Sequence, residues 1–146
     1  MKKSLLITLG LAVLSGFFCS CKSSPQLKIE GTWNTSAIEI GGEKLPVCES
    51  SLIIGKSKNK IYELNGNSGV NSFFGSAKVN GNSFKVLNNM GSTKMLGDPE
   101  SMEFEKNFTE VLLEAATVKT YSENSDEFLV LETSSGKKKI IFVRVE

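Results

Sequence analysis

Residues 67–75 constrain the fold of this chain more than any other stretch. They read Asn-Ser-Gly-Val-Asn-Ser-Phe-Phe-Gly and separate two strand-like runs. Glycine allows positive φ or close backbone approach, and asparagine hydrogen-bonds to nearby backbone in turns. Because successive side chains of a strand point to opposite faces, Phe73 and Phe74 should place one ring on each face. The segment therefore predicts a shaped turn that leads into a core strand.

One amphipathic helix is predicted in the second half of the chain. Asp98, Pro99 and Glu100 supply an N-cap, a proline at the first helical position and an acidic group in the first turn. Apolar residues then recur at helical spacing, and the helix is expected to extend to about residue 116. This stripe consists of Phe104, Phe108, Val111, Leu112 and Ala115.

Strand patterns surround the helix on both sides. They cover residues 32–40, 51–54, 61–64, 76–79, 84–87, 117–121, 128–133 and 139–145. Asn80-Gly81 between two of them is a hairpin signal. The last three runs are largely apolar on both faces near their centres. This pattern suits an α+β fold, either a curved antiparallel sheet with the helix on one side or a small barrel.

Composition excludes several classes of function. The 146 residues suggest one domain, and 40% hydrophobic with 23% charged residues is ordinary for a globular protein. Lys and Arg number 17 against 16 Asp and Glu, which gives no basic surface for nucleic acid. The chain has no histidine, the commonest general base near neutral pH and the commonest metal ligand. We therefore expect a protein without enzymatic activity and without a metal or other cofactor.

The N-terminus has the anatomy of a signal peptide. Lys2 and Lys3 precede an apolar run at residues 5–14, which is short for a membrane-spanning helix. The alternative is a buried N-terminal helix, but the basic start and the small-residue ending favour export. Residues 1–20 are therefore predicted to be removed, and residues 21–28 to form a polar tether ahead of a domain at residues 29–146.

The end of this signal resembles a bacterial lipobox. In Phe18-Cys19-Ser20-Cys21, the small Ser20 makes Cys21 the candidate for lipid attachment, whereas the bulky Phe18 disfavours Cys19. A diacylglycerol with an N-linked palmitate would anchor the protein stably to a membrane of the bacterial cell envelope. The absence of Asp directly after Cys21 favours the outer membrane. The alternative is plain secretion, with both cysteines as ordinary thiols.

Cleavage would leave Cys21 and Cys48 as the two cysteines of the mature chain. If Cys21 is acylated, a disulfide within the chain is impossible. Cys48 has no histidine to activate it as a nucleophile. We expect it to be a small buried or half-buried residue, in a protein that is a monomer.

Three blocks of sequence together resemble the META domain (HslJ-like) family, over residues 29–145. Residues 31–33 are similar to its opening Gly-x-Trp, and residues 69–75 to its Gly-Cys-Asn-x-Phe-x-Gly. Residues 90–95 and 102–108 are similar to its Met-x-x-Thr-x-Met and to its Met-Glu-x-Glu helix start. The sequence departs from the family at Val70 and Gly97, where relatives carry cysteine. If the two family cysteines normally touch, Val70 and Gly97 should lie close in space.

The resemblance implies an antiparallel sheet curled into a small barrel around or against one helix. It implies no catalytic centre, because the family has no established reaction. The matched residues are interpreted as structural: Asn71 and Thr93 would hydrogen-bond to fix their loops, and Glu105 would accept from backbone or from these polar groups. The full set is Trp33, Gly69, Asn71, Phe73, Gly75, Thr93, Met95 and Glu105.

Members of the family are linked to stress response and resistance, and a similar fold occurs in lipid-binding pilot lipoproteins. The first functional hypothesis is therefore an accessory, stress-related or protein-interaction role in the envelope, with an unidentified protein partner. The alternative is a carrier of lipid or another hydrophobic ligand. The residues that would line such a pocket, unless they simply fill the core, are Phe73, Phe74, Met95, Phe104 and Phe108.

Overall fold

The computed structural model describes residues 27–56, 58–88 and 90–145. The predicted signal peptide and Cys21 lie outside the described residues. The elements are β1 (Gly31–Ile40), β2 (Glu43–Leu45), β3 (Ser51–Ile54), β4 (Ile61–Asn67), β5 (Ser72–Asn80), β6 (Ser83–Val86), β7 (Gly91–Ser92), α1 (Pro99–Glu114), β8 (Ala115–Glu123), β9 (Asp126–Thr133) and β10 (Lys138–Arg144). Within the described residues, no helix is both long and apolar enough to span a membrane.

Eight of the strands form a closed antiparallel barrel. The order is β1-β3-β4-β5-β6-β8-β9-β10, and β10 pairs back onto β1. The short strands β2 and β7 lie outside this path, with β2 beside β1 and β7 beside β5. The weakest seam is between β6 and β8, whose ladder consists of the single pair Ser83–Thr117. The prediction of a small barrel with one helix is confirmed.

The barrel interior is filled by side chains rather than left open. On β9, Leu129 and Leu131 are fully buried while the alternate residues Phe128 and Val130 are only partly buried, as the period of a strand requires. Helix α1 inserts its apolar stripe into the barrel, and the ring of Phe108 lies edge-on to Phe142 at 6.1 Å. The core is therefore shared between the sheet and the helix.

Trp33 is fully buried, and its Nε1 donates to the carbonyl of Ile29 at 2.9 Å. Arg144 lies over the same indole ring and donates to the carbonyl of Glu30 at 2.8 Å. These contacts bind the last strand to the segment that precedes β1.

Two local expectations need correction. The helix ends at Glu114 rather than near residue 116, because Ala115 has extended backbone angles and begins β8. Its side chain is buried like the helix stripe, so the apolar spacing continues past the end of the helix. In the hairpin after β5 the two loop residues are Gly81 and Asn82, since Asn80 still pairs with Ser83.

Strand direction separates the two ends of the barrel. Because neighbouring strands are antiparallel, the start of β1, the segment 55–60, the turn 124–125 and the end of β10 share one end, which we call the tether end. The opposite end, which we call the helix end, carries residues 67–72, residues 87–98 and α1. The first described residue, Leu27, and the segment 67–75 therefore belong to opposite ends.

Candidate functional site

A cluster of hydrogen-bonded polar groups at the helix end joins three segments of the chain. Its centre is Asn71, which is 5% exposed. Asn71 Nδ2 donates to Glu105 Oε2 on α1 at 2.8 Å and to the carbonyl of Met95 at 3.2 Å. Its Oδ1 accepts from Thr93 Oγ1 at 2.9 Å and from the Met95 N–H at 2.6 Å. One side chain thus connects the turn before β5, the helix and the segment after β7.

Glu105 completes the cluster from the helix side. Its Oε1 accepts from Ser68 Oγ at 2.5 Å and from the Asn71 N–H at 2.9 Å. Ser68 and Asn71 are buried and Glu105 is half-buried. Their polar atoms hydrogen-bond to one another in place of water. Both carboxylate oxygens are engaged, and the bonds hold the backbone of the turn at residues 68–71 against α1.

Gly69 and Gly75 of the motif lie where a larger residue would clash with a neighbour, and Gly69 also has a backbone angle that favours glycine. Gly69 has a φ of +111°, and a Cβ there would lie 2.8 Å from Cδ1 of Phe104. A Cβ at Gly75 would overlap the sulfur of Met90, which lies directly over this glycine. The turn can therefore pack against α1 and the segment after β6 only with glycine at these positions.

The predicted proximity of Val70 and Gly97 is confirmed. A Cβ built at Gly97 would lie 3.5 Å from Cβ of Val70 and 2.6 Å from its Cγ2. Cβ atoms of a disulfide are separated by about 3.5–4.5 Å. Val70 and Gly97, the two positions that depart from the family pattern, are thus in contact with each other.

Next to the polar cluster lies a cleft of about 660 Å³. One wall is residues 90–96 and the other is the exposed side of α1 from Met102 to Leu113. Its floor is Phe73 with Asn71 and Ser68. The apolar lining is dominated by flexible side chains: Met90, Met95, Leu96, Met102, Leu112 and Leu113. Methionine adapts its shape to different partners, which makes this lining suited to a variable apolar ligand.

The five residues predicted to line a pocket are divided by the structure. Phe73, Phe104 and Phe108 form one core cluster, with Phe108 centroid distances of 5.7 Å to Phe73 and 6.0 Å to Phe104. Phe74 is 58% exposed on the opposite face of β5, where its ring covers Gly91. Of the five, only Phe73 and Met95 line the cleft. The reason is the strand period, which sends Phe73 and Phe74 to opposite sides of the sheet.

Some charged side chains around the cleft form ion pairs and others do not. Lys138 pairs with Glu110 and with Glu114, the latter at 2.9 Å. The hydrogen bond from Lys138 lowers the pKa of Glu110, and its carboxylate partners raise the pKa of Lys138. In contrast, Lys94 and Lys106 form no ion pair with any described residue. The charge of Lys106 also contributes to lowering the pKa of Glu110, so Lys94 is the less compensated of these two rim cations.

Cys48 is half-buried and lies in a smaller cleft of about 420 Å³, where its sulfur is 3.9 Å from Ser101 Oγ. No group of three His, Cys, Asp or Glu side chains suited to a metal ion is found in the part of the chain that the structure describes.

Four further residues of the site were not predicted to belong to it: Ser68, Lys94, Leu96 and Leu113. Met90 was noted only as the first residue of the Met-x-x-Thr-x-Met block. Leu96 carried a signal, since it follows Met95 as a second large apolar residue in an otherwise polar, glycine-punctuated segment. The helix residue Leu113 carried none, because it is next to the buried stripe and only the docking of α1 decides that it faces the cleft.

The META domain family model matches residues 25–146. The chain belongs to the META domain family. Among solved structures, the fold is similar to the NMR structure of a protein from Burkholderia xenovorans, with a TM-score of 0.66 and 17% sequence identity. That similarity covers 80% of this chain and 82% of the other, and it concerns the fold alone. No curated protein matches the sequence.

Proposed function

We propose that this META domain protein is a non-enzymatic lipoprotein of the cell envelope that binds a protein partner through the cleft at its helix end. The observation that carries the proposal is the exposure of large apolar side chains at the cleft. Leu96 is 93% exposed, Met95 57% and Leu113 50%. Apolar groups gathered on one surface and rimmed by charge are typical of interaction sites.

The chemistry of the cleft supports binding rather than catalysis. Its carboxylates are already engaged, Glu105 by Ser68 and Asn71, and Glu110 by Lys138. A general acid or base needs access to the reacting group. The remaining charged groups at the rim, Lys94 and Lys106, are suited to attracting an anionic partner.

The position of the cleft agrees with an anchored protein. A tether of residues 21–28 would cover at most about 30 Å when fully extended. An anchor at Cys21 would join the chain at the tether end, so it would leave the helix end and its cleft free of the attachment point. The partner would then approach from the aqueous side.

Lipid attachment is tested by the Cys21→Ala variant of the full chain, with Cys19→Ala as the matched control. We expect the Cys21 variant to lose its acyl mass and leave the membrane fraction, and the Cys19 variant to keep both. Membrane association and mass unchanged by Cys21→Ala would contradict the anchor.

Partner binding is tested by photo-crosslinking in intact cells. A benzophenone amino acid is placed at Leu113 in the cleft or at Tyr121, which is 44% exposed on β8 away from the cleft. We expect a discrete protein adduct from position 113 that is absent from position 121. Equal or absent labelling at the two positions would contradict a binding role for the cleft.

A hydrophobic small ligand is the second candidate, and the volume of the cleft favours it. About 660 Å³ lies within the roughly 300–1,000 Å³ range of small-molecule pockets. Native mass spectrometry after exposure to envelope lipids would give a ligand-bound mass if this candidate is correct. A mass equal to that of the protein alone would exclude it.

A further inference from the structure

One wall of the cleft is the segment 92–96, which continues from β7 and bonds to the turn before β5 and to the start of β5 at alternate residues. The Thr93 N–H donates to the carbonyl of Ser72 at 3.0 Å. The Met95 N–H and carbonyl both bond to the side chain of Asn71, at 2.6 and 3.2 Å. Alternate residues of this wall therefore bond to the β5 side, which is the pattern of an extended chain.

The residues between them have backbone groups that point the other way. Among the described residues, no hydrogen bond engages the backbone N–H or C=O of Lys94 or Leu96. By the alternation of an extended strand, these groups face the cleft. Asn71 holds this edge in place before any partner arrives, which reduces the ordering cost of binding.

Among the described residues, no backbone group across the cleft pairs with this segment. The opposite wall is α1, whose backbone groups are hydrogen-bonded within the helix. Strand β8 reaches β6 only at Ser83–Thr117 and does not pair with β7. Open strand edges are ready sites for pairing with another chain.

We propose that the partner enters the cleft as an extended peptide that pairs with residues 92–96 as an additional strand. This inference rests on the proposed function and specifies how the partner binds. Five extended residues span about 16 Å, and the helix wall from Met102 to Leu113 rises about 17 Å. The cleft thus accepts roughly five residues of peptide, with one set of alternate side chains against the apolar residues that line it.

Charge and lining define the chemistry of this peptide. Lys94, which forms no ion pair with a described residue, favours a peptide that carries a carboxylate beside its apolar residues, and Lys106 adds a second positive charge at the rim. The methionines Met90, Met95 and Met102 tolerate different apolar side chains, so main-chain pairing should contribute more to affinity than any one side chain. An acidic, alternating apolar segment is the expected ligand.

The test separates the backbone of Lys94 from its side chain. The full-length protein with the photo-crosslinker at Leu113 is compared in three backgrounds: unchanged, Lys94→Ala and Lys94→Pro. Proline removes the N–H that would pair with the peptide. We expect the protein adduct to fall at least tenfold with Lys94→Pro and no more than threefold with Lys94→Ala.

Retention of the adduct in Lys94→Pro, or equal losses in both variants, would overturn strand addition while the proposed function stands. Absence of any adduct from unchanged protein would instead refute the proposed function. An adduct of lipid mass would overturn the peptide as occupant.

A second measurement covers the case in which Lys94→Pro lowers the melting temperature. A synthetic peptide from the crosslinked stretch of the partner is N-methylated at one residue at a time and titrated against the full-length protein. Strand addition predicts that binding is lost at every second position only. Loss at consecutive positions, or at none, would overturn the proposal.

Discussion

Replacing Asn71 with alanine is the most direct test of the polar cluster. The substitution removes four hydrogen bonds, to Glu105, Thr93 and both backbone groups of Met95. A typical hydrogen bond contributes about 1 kcal/mol net, and one to a charged group about 1.5–3 kcal/mol. The four contributions add up to about 5 kcal/mol. In the variant, however, water from the adjacent cleft can hydrogen-bond to the groups that lose Asn71, which reduces the loss. We therefore expect the free energy of unfolding to fall by about 3 kcal/mol.

The assay is urea unfolding of the Asn71→Ala variant, compared with Asn65→Ala on β4. Asn65 is exposed and its side chain makes no hydrogen bond to another described residue, so its truncation should change the unfolding free energy by about 0.5 kcal/mol or less. The urea midpoint of the Asn71 variant should fall with an unchanged slope. A loss below about 1 kcal/mol for Asn71→Ala would refute the reasoning that this side chain fixes the turn and the edge.

Two further predictions concern the same end of the barrel. The double variant Val70→Cys/Gly97→Cys should form a disulfide under oxidising conditions, because the Cβ positions are 3.5 Å apart. The closed loop of about 28 residues predicts about 3–4 kcal/mol of stabilisation, seen as a melting temperature that falls when reductant is added; a melting temperature insensitive to reductant would contradict it. Asp98 caps α1, and hydrogen bonds from the Ser101 side chain and backbone lower its pKa from 3.8. Its stabilisation is therefore present above pH 4 and lost as the pH falls through the lowered pKa. The stability difference between the protein and Asp98→Ala should be full at pH 7 and shrink below pH 4 in urea titrations, and a difference constant with pH would show that the charge is not involved.

Local sequence signals determined the elements themselves. The cap at Asp98 and Pro99 specified where α1 begins, since those residues satisfy or avoid the free N–H groups of a first turn. Alternation along β9 specified which side chains are buried. These features depend on neighbours a few residues apart, so one sequence is enough to predict them.

The resemblance to a family predicted the closed barrel, which the local sequence pattern could not distinguish from an open curved sheet. Pattern alone allowed a curved sheet or a barrel, because strand closure depends on pairing β1 with β10, about a hundred residues apart. The contact between Val70 and Gly97 was likewise predicted from the paired departure from the family and then found in the structure.

The candidate site was decided by tertiary structure. Residues 67–75 predicted a shaped turn, but the sequence did not show that Asn71 would hold a second segment through Met95. The exposed edge at Lys94 and Leu96 exists because β8 meets β6 at a single pair and α1 occupies the remaining space. A helix cannot complete a strand ladder, so this seam stays open. The sequence determined which residues form strands and helix, and only their packing determined that the segment after β7 has a neighbouring strand on one side alone.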